Sequence, residues 1–214
     1  SLGDDSVWLL LGSFVIAAGI TASGLATRAA VFIISGARDV RQLMHLSGAA
    51  LVATAFAVAS TSGREALAVP VFMALAPVLR DRPALVRALA LAFPSVILLS
   101  AVASYLGAGA HLITSQILVG RGYPGFSFAN WMLYGLPLAV VSSVACVELV
   151  LALFTSREDR RQALSLSVSD LQSHTGIPIS GRFTPTQGRA AWLVAVVIVL
   201  WCMEPVHGLS LIHI

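Results

Sequence analysis

Long apolar runs alternate along this chain with short polar segments that contain arginine. Residues 6–27 are 22 residues without a charge, enough for a helix to cross a hydrocarbon core of about 30 Å. Similar apolar runs at 88–120, 126–154 and 190–203 predict further membrane-spanning helices. The pattern therefore predicts an all-α, polytopic membrane protein.

A polar tip interrupts the apolar stretch 43–79. Residues 59–65 read Ala-Ser-Thr-Ser-Gly-Arg-Glu, so three hydroxyls, a glycine and a pair of opposite charges separate two apolar arms. Each arm has about 14–17 residues and reaches about 21–25 Å, which is short for a full span. This length favours a re-entrant helical hairpin that turns inside the membrane. A pair of tilted, slightly short spans is the alternative.

The run 88–120 contains no Asp, Glu, Lys or Arg over 33 residues, too long for one straight span and too short for two. In its middle, residues 107–111 read Gly-Ala-Gly-Ala-His, and we expect the helix to break there. Irregular backbone at membrane depth is tolerated only where it is buried in protein or lines a wet cavity. The run therefore predicts a broken transmembrane helix.

Composition supports the membrane interpretation and excludes an ordinary soluble domain. Of the 214 residues, 57% are hydrophobic and only 11% are charged, whereas soluble domains have about 25% charged residues. All 13 basic residues are arginine, and the net charge is +3. No arginine cluster is interleaved with stacking aromatic residues, so we expect no nucleic-acid partner.

The arginines also predict orientation. They concentrate in three connections, 28–42, 80–87 and 155–189, whereas the opposite side holds only Arg121. The positive-inside rule places the three connections in the cytoplasm, so the hairpin leaves and re-enters on one side and the broken helix crosses once. We predict a multi-pass protein of the cytoplasmic membrane whose linker, residues 155–189, is cytoplasmic.

Other conspicuous side chains have structural interpretations. Trp131 and Tyr134, near the start of a span, predict an interfacial aromatic belt. Glu148 lies about 7–8 Å inside the end of that span, and we interpret it as a contact with another helix in preference to an ion-coupling site. Cys146 and Cys202 lie in apolar runs, which indicates packing and predicts no disulfide, metal or organic cofactor.

Five short motifs follow one another along nearly the whole chain. They are Gly24–Arg28 (Gly-Leu-Ala-Thr-Arg), Ser60–Ser62 ten residues before Pro70, 107–113 (Gly-Ala-Gly-Ala-His-Leu-Ile), 126–137 with Phe126, Trp131 and Gly-Leu-Pro at its end, and 201–208 (Trp-Cys-Met-Glu-Pro-Val-His-Gly). In order and spacing they resemble the divalent-anion/sodium symporters, the solute carrier 13-like permeases of sulfate and di- or tricarboxylates. Arsenite and citrate permeases are distant relatives of that family.

The resemblance implies an inverted-repeat transporter in which each repeat supplies one hairpin tip and one broken helix to a midplane site. Residues 1–154 would then be the first-repeat membrane domain, with the hairpin at 43–79 and the broken helix at 88–120. Residues 155–189 would be the linker and 190–214 the truncated start of the second repeat. We therefore expect a fragment that does not transport alone, and the resemblance implies a homodimer at full length.

Departures from the family motif leave the coupling ion open. Thr61 and Ser62 stand where the family has Asn and Thr, and residues 108–111 replace Thr-Pro-Pro-Asn. In the family these segments coordinate sodium and hold the substrate carboxylate, so the loss of both Asn amides affects both functions. His111 offers an alternative, because imidazole titrates near neutral pH and could couple transport to protons.

These considerations define the candidate site. We expect the residues that bind the anion or its coupling ion to be Ser60, Thr61, Ser62, Gly63, Arg64, Gly107, Ala108, Gly109, Ala110 and His111, with Ser60, Ser62, Gly107 and Gly109 as candidates for sodium. Each has a structural alternative. The hydroxyls could cap the second arm, Arg64 could be a structural partner or a surface charge, His111 could be a satisfied interior residue, and the glycines could permit close helix contact.

Three function classes follow from this site. The first is a secondary active transporter that moves a small anion, such as a di- or tricarboxylate or sulfate, by alternating access with sodium or protons. The second is a membrane scaffold subunit with no solute of its own. The third is an intramembrane serine hydrolase with Ser62 as nucleophile and His111 as base, which lacks an identifiable oxyanion group or third residue. We favour the transporter, and therefore expect no enzyme.

Overall fold

The computed structural model describes residues 15–16, 18–58, 60–161, 163–164 and 184–203. No strand occurs among them; Asp39 and Ala163 form an isolated bridge. The all-α prediction is thereby confirmed. The helical elements are α1 (Leu25–Ser35), α2 (Val40–Ala57), α3 (Thr61–Val78), α4 (Pro83–Leu99), a 3₁₀ turn (Ser100–Ala103), α5 (Gly109–Gly120), α6 (Phe128–Phe154), α7 (Arg157–Arg161) and α8 (Pro185–Cys202).

Three stretches of the described helices are long and apolar enough to cross a membrane, namely Pro83–Ala103, Phe128–Phe154 and Pro185–Cys202. α6 exposes large apolar side chains along one face, as a helix in contact with lipid does. This confirms the prediction of a polytopic membrane protein. The exposed side chains of α6 include Leu133, Tyr134, Leu138, Val141 and Leu149.

α2 and α3 are joined by the short polar tip, as a helical hairpin requires, and both helices are longer than the predicted arms. Each helix has 18 residues and so extends about 27 Å. α2 begins early because the carboxylate of Asp39 caps it and accepts a hydrogen bond from Gln42 N at 2.7 Å. Neither arm is among the helices apolar enough to span. Re-entrance of the hairpin remains a prediction.

The helix break occupies Ser100–Ala108 and therefore starts earlier than the predicted 107–111. α4 ends at Leu99 and tightens into the 3₁₀ turn, and residues 104–108 are irregular. α5 then restarts from Ala108, whose extended backbone makes it the N-cap. The prediction was wrong for Gly109, Ala110 and His111, which form the first turn of α5.

The chain near Arg28 also differs from expectation. Gly24 interrupts the opening helix with a φ of 68°, a conformation that glycine adopts without strain, and α1 then continues to Ser35. Arg28 is only 6% exposed, and its Nη1 donates to Gln187 Oε1 of α8 at 2.7 Å. The prediction that a connection begins at Arg28 was wrong, because this arginine is buried in a helix.

The linker is shorter than the predicted 155–189. It opens with α7, and α8 already begins at Pro185, five residues before the expected boundary. Thr184 and Gln187 form a reciprocal capping box, with Pro185 at the first helical position, which fixes this start. Most of the remaining linker and residues 204–214 of the predicted second repeat lie outside the described residues.

The main apolar core joins α1, α2, α3, α4 and α6, and its fully buried members include Leu43, Met44, Leu75, Leu89 and Leu151. At one edge, Arg41 and His45 of α2 reach Glu148 of α6. Glu148 Oε1 lies 2.7 Å from Arg41 Nη2 and 2.7 Å from His45 Nε2. The glutamate thus contacts another helix, as interpreted from the sequence.

Candidate functional site

Arg64 is the centre of the polar cluster at the base of the hairpin tip. It lies in the first turn of α3 and is completely buried, with 0% exposure. Its guanidinium donates to Thr54 Oγ1 at 2.9 Å and Leu51 O at 2.8 Å in α2. It also donates to Ile97 O at 3.0 Å and to Ser100 Oγ, where α4 ends. One side chain therefore joins both hairpin arms to the helix break.

The Arg64 partners are all neutral oxygens. Among the described residues, no carboxylate forms a salt bridge with Arg64. An uncompensated cation in a low-dielectric interior is costly and is normally retained for function. Its field is screened much less than in water, so it attracts anions from a distance. The arrangement suits a site for a negatively charged solute that need not touch the guanidinium itself.

The hydroxyl residues of the tip start α3. Ser60 has an extended backbone and its Oγ accepts from Gly63 N at 3.4 Å, so it serves as the N-cap. Ser62 is exposed and Thr61 half-buried. A Cβ on Gly63 would lie 2.9 Å from Val58 Cγ1, so glycine allows the tight return of the chain. Contact of these hydroxyls with a solute remains a prediction.

The break is held by close backbone contacts. Gly107 N donates to Ser104 O at 2.9 Å, and a Cβ on Gly107 would lie 2.0 Å from Ala101 O. Only glycine can occupy that position without displacing the backbone. No described side chain caps the N-terminus of α5, where Ala108 is the N-cap. The first N–H groups of that helix therefore lack a side-chain acceptor.

His111 contacts the break and α6. Its Nδ1 lies 3.2 Å from Ser104 O, and its ring centroid lies 4.6 Å from that of Trp131. Because a carbonyl oxygen only accepts, Nδ1 carries the proton and Nε2 is the basic nitrogen of the neutral ring. Trp131 in turn donates from Nε1 to Val102 O at 2.9 Å. Trp131 is thus half-buried against the break and α5, whereas Tyr134 is exposed, and the interfacial belt remains a prediction.

A small pocket lies where the hairpin, the break and α8 meet. Its volume is about 20 Å³. Among the residues that line it are Ala55–Ala57 at the C-terminal end of α2, Ser104 and Leu106 of the break, and Trp201 of α8. The predicted site residues Ser60–Ser62 and 107–111 do not line it. The sequence thus located the two structural elements but not the side chains at their junction.

The two predicted halves of the site meet only in part. Arg64 contacts the start of the break, but within the described part of the chain no hydrogen bond joins Ser60–Ser62 to residues 107–111. Sequence reasoning missed Thr54, Ser100 and Trp201. The available signal was the presence of hydroxyls in otherwise apolar helices, which commonly bond back to their own helix and so attract little notice.

The fold is that of an all-α, multi-pass membrane protein with a polar junction between a hairpin and an interrupted helix. Its family is shown by sequence comparison: the model of the citrate transporter family CitMHS matches residues 1–212, so the chain belongs to that family. This confirms the resemblance to the divalent-anion symporter type of permease. Comparison with curated proteins gives no significant match.

Family membership supports a secondary transporter of citrate or another anion in general, and a transporter family is consistent with the expectation of no enzyme. The geometry around the hypothetical hydrolase pair agrees. In the described structure no hydrogen bond joins Ser62 to His111, and the imidazole contacts Ser104 and Trp131 instead. A general base must reach the proton that it removes, so this pair gives no support to a serine hydrolase.

Proposed function

We propose that the protein carries citrate, or a similar small di- or tricarboxylate, across the cytoplasmic membrane, driven by a sodium or proton gradient through alternating access. The observation that carries this proposal is the complete burial of Arg64 at the junction of hairpin and break, where its hydrogen-bond partners among the described residues are neutral oxygens. A fixed positive charge inside an apolar bundle favours entry of a negatively charged solute. The linker 155–189 faces the cytoplasm in this proposal, and the complete protein is a homodimer.

The Arg64 contacts indicate which parts move together. Four hydrogen bonds join α2, α3 and the end of α4, so these elements form one unit. α6 belongs to the same unit, because it packs with α2, α3 and α4 in the main apolar core and Trp131 binds Val102 O of the 3₁₀ turn. In this proposal the unit moves against the remaining helices of the transporter. The uncapped start of α5 adds N–H donors on the side of the break, where a carboxylate can accept them. The anion is thus held by helix ends and by the field of Arg64.

Two coupling ions fit different parts of the junction. Sodium would use oxygen ligands, for which the hydroxyls of Ser60 and Ser62 and the carbonyls near Gly107 and Gly109 are the candidates. Protons would use the basic Nε2 of His111, whose Nδ1 is already engaged by Ser104 O. Since the proposed sodium site consists of oxygen atoms and the proposed proton site is the nitrogen of His111, a substitution of His111 distinguishes the two mechanisms.

The direct test is uptake of radiolabelled citrate by the complete protein in proteoliposomes. We expect accumulation above equilibrium when an inward sodium or proton gradient is imposed, and equilibration without accumulation when the gradients are collapsed by ionophores. Succinate and sulfate should compete for uptake if they share the site. Uptake no faster than in protein-free liposomes under either gradient would contradict the proposal.

Replacing His111 with glutamine distinguishes proton from sodium coupling. Glutamine can still donate to Ser104 O but has no titratable nitrogen, so we expect proton-driven citrate uptake to fall at least about tenfold, while sodium-driven uptake is retained. The measurement is initial uptake rate as a function of external pH. His45→Gln is the matched control, because His45 contacts Glu148 at the edge of the core. Unchanged pH dependence in the His111 variant excludes this histidine as the proton carrier.

A further inference from the structure

Trp201 has a buried indole N–H without an acceptor among the described residues. The residue is 8% exposed, and its Nε1 forms no hydrogen bond within that part of the chain. Buried donors without partners are uncommon in proteins because the desolvation of the N–H is not compensated. Tryptophan at a buried position normally finds an acceptor for this group. The unpaired N–H is therefore available for an acceptor that the described residues do not supply.

The surroundings of Trp201 place this residue at the junction of the hairpin, the break and the last helix. Its ring packs against Phe128 with centroids 5.2 Å apart, which fixes its orientation at the end of α8. It lines the pocket described above together with the end of α2 and with Ser104 and Leu106 of the break. The hairpin, the break and the last helix thus each contribute to one small cavity.

The chemistry of the cavity selects its occupant. An indole N–H can only donate, so it binds an oxygen acceptor and repels a cation such as sodium. The volume of about 20 Å³ admits one oxygen-sized group, and none of the described residues that line the pocket is acidic. Arg64 gives the same hairpin a positive charge, which favours an anionic acceptor over a neutral one.

We propose that Trp201 Nε1 donates a hydrogen bond to a carboxylate oxygen of the transported anion. Trp201 is then a substrate-binding residue supplied by the last helix, across from the hairpin and the break. The inference rests on the proposed function, since it identifies a donor for the anion that the transporter carries. It adds a contact that the tip and break motifs do not contain.

The test compares Trp201→Phe with Trp192→Phe. Phenylalanine keeps an aromatic ring against Phe128 but removes the N–H, whereas Trp192 is 65% exposed on the same helix and serves as the matched control. We expect citrate affinity, measured by isothermal titration calorimetry on the purified complete protein, to fall about 10- to 100-fold in Trp201→Phe and to stay unchanged in Trp192→Phe. The Tm without citrate should stay the same or rise, because an unpaired donor has been removed.

A second variant separates the N–H from the ring. Benzothienylalanine at position 201 has the shape of tryptophan without the donor, and the same loss of affinity is expected. Unchanged citrate affinity in both variants overturns the inference, as does a lower Tm with unchanged affinity, which would identify the acceptor as a structural water only. If the wild-type protein binds none of citrate, succinate and sulfate, the proposed function itself fails. Binding by the wild type with equal affinity in the variants defeats only the role of Trp201.

Discussion

Arg64→Met is expected to lower the free energy of unfolding by about 2–6 kcal/mol. The estimate takes about 0.6–1.5 kcal/mol for each of the four hydrogen bonds that the guanidinium donates. The lost bonds join three helices, so the junction between hairpin and break should loosen and citrate uptake should be lost. Thermal unfolding in detergent and the monodisperse fraction in size-exclusion chromatography measure the effect.

The opposite effect has to be weighed, because methionine also removes the cost of burying a charge. Replacing buried charges by apolar residues is sometimes neutral or stabilising, since desolvation can exceed the interaction energy. Here the accepting oxygen of Ile97 lies in the last turn of α4, where carbonyls lack the full set of intrahelical donors. Loss of Arg64 leaves such acceptors with fewer donors, and we therefore expect net destabilisation.

Two further variants sharpen this result. Arg64→Lys keeps the charge, but the lysine ammonium is compact, whereas the planar guanidinium of arginine donates in several directions. Lysine therefore cannot reach acceptors in three segments, and the stability of this variant should lie between those of the wild type and Arg64→Met. Arg87→Met removes an exposed arginine of α4 and should change stability by less than about 0.5 kcal/mol. An Arg64→Met protein as stable as the wild type would show that Arg64 is retained for its charge alone.

The general architecture could be predicted because it depends on local hydrophobicity. Apolar run lengths and the positions of arginines are properties of consecutive residues, and they indicated helices, a hairpin near residues 59–65 and an interruption in 88–120. Caps refined the boundaries: Asp39 extended α2 and Thr184 with Gln187 extended α8. Such caps are readable from sequence, and giving them more weight would have corrected both boundaries.

The partners of the polar side chains could not be predicted, because they come from distant parts of the chain. The sequence pattern places Arg28 at the start of a connection, yet its guanidinium donates to Gln187, which lies 159 positions later. Ser100 looks unremarkable in an apolar helix until Arg64 binds it at the point where α4 ends. The break therefore starts at Ser100, where Arg64 contacts the end of α4, and precedes the glycines that mark it in the sequence. A single sequence contains no signal for such long-range pairing.

Gly107→Ala is expected to cost about 3 kcal/mol or more of stability and to abolish citrate uptake. The added Cβ would lie 2.0 Å from Ala101 O, a backbone atom that cannot rotate away, so the 3₁₀ turn must shift. Gly135→Ala should act similarly from α6, since its Cβ would lie 2.2 Å from Val102 O. Gly188→Ala is the control, because nothing lies within 4 Å of its Cβ and alanine favours a helix.

The two glycines approach consecutive carbonyls of the same turn, so their effects should not be independent. Once one alanine has displaced the turn, the second meets a backbone that has already moved, and the double variant should lose less stability than the sum of the single losses. Thermal unfolding of the four proteins in one double-mutant cycle measures this coupling. If the two losses of stability are fully additive, each alanine displaces the turn independently of the other. The break would then not be the single rigid element that joins the hairpin to α6.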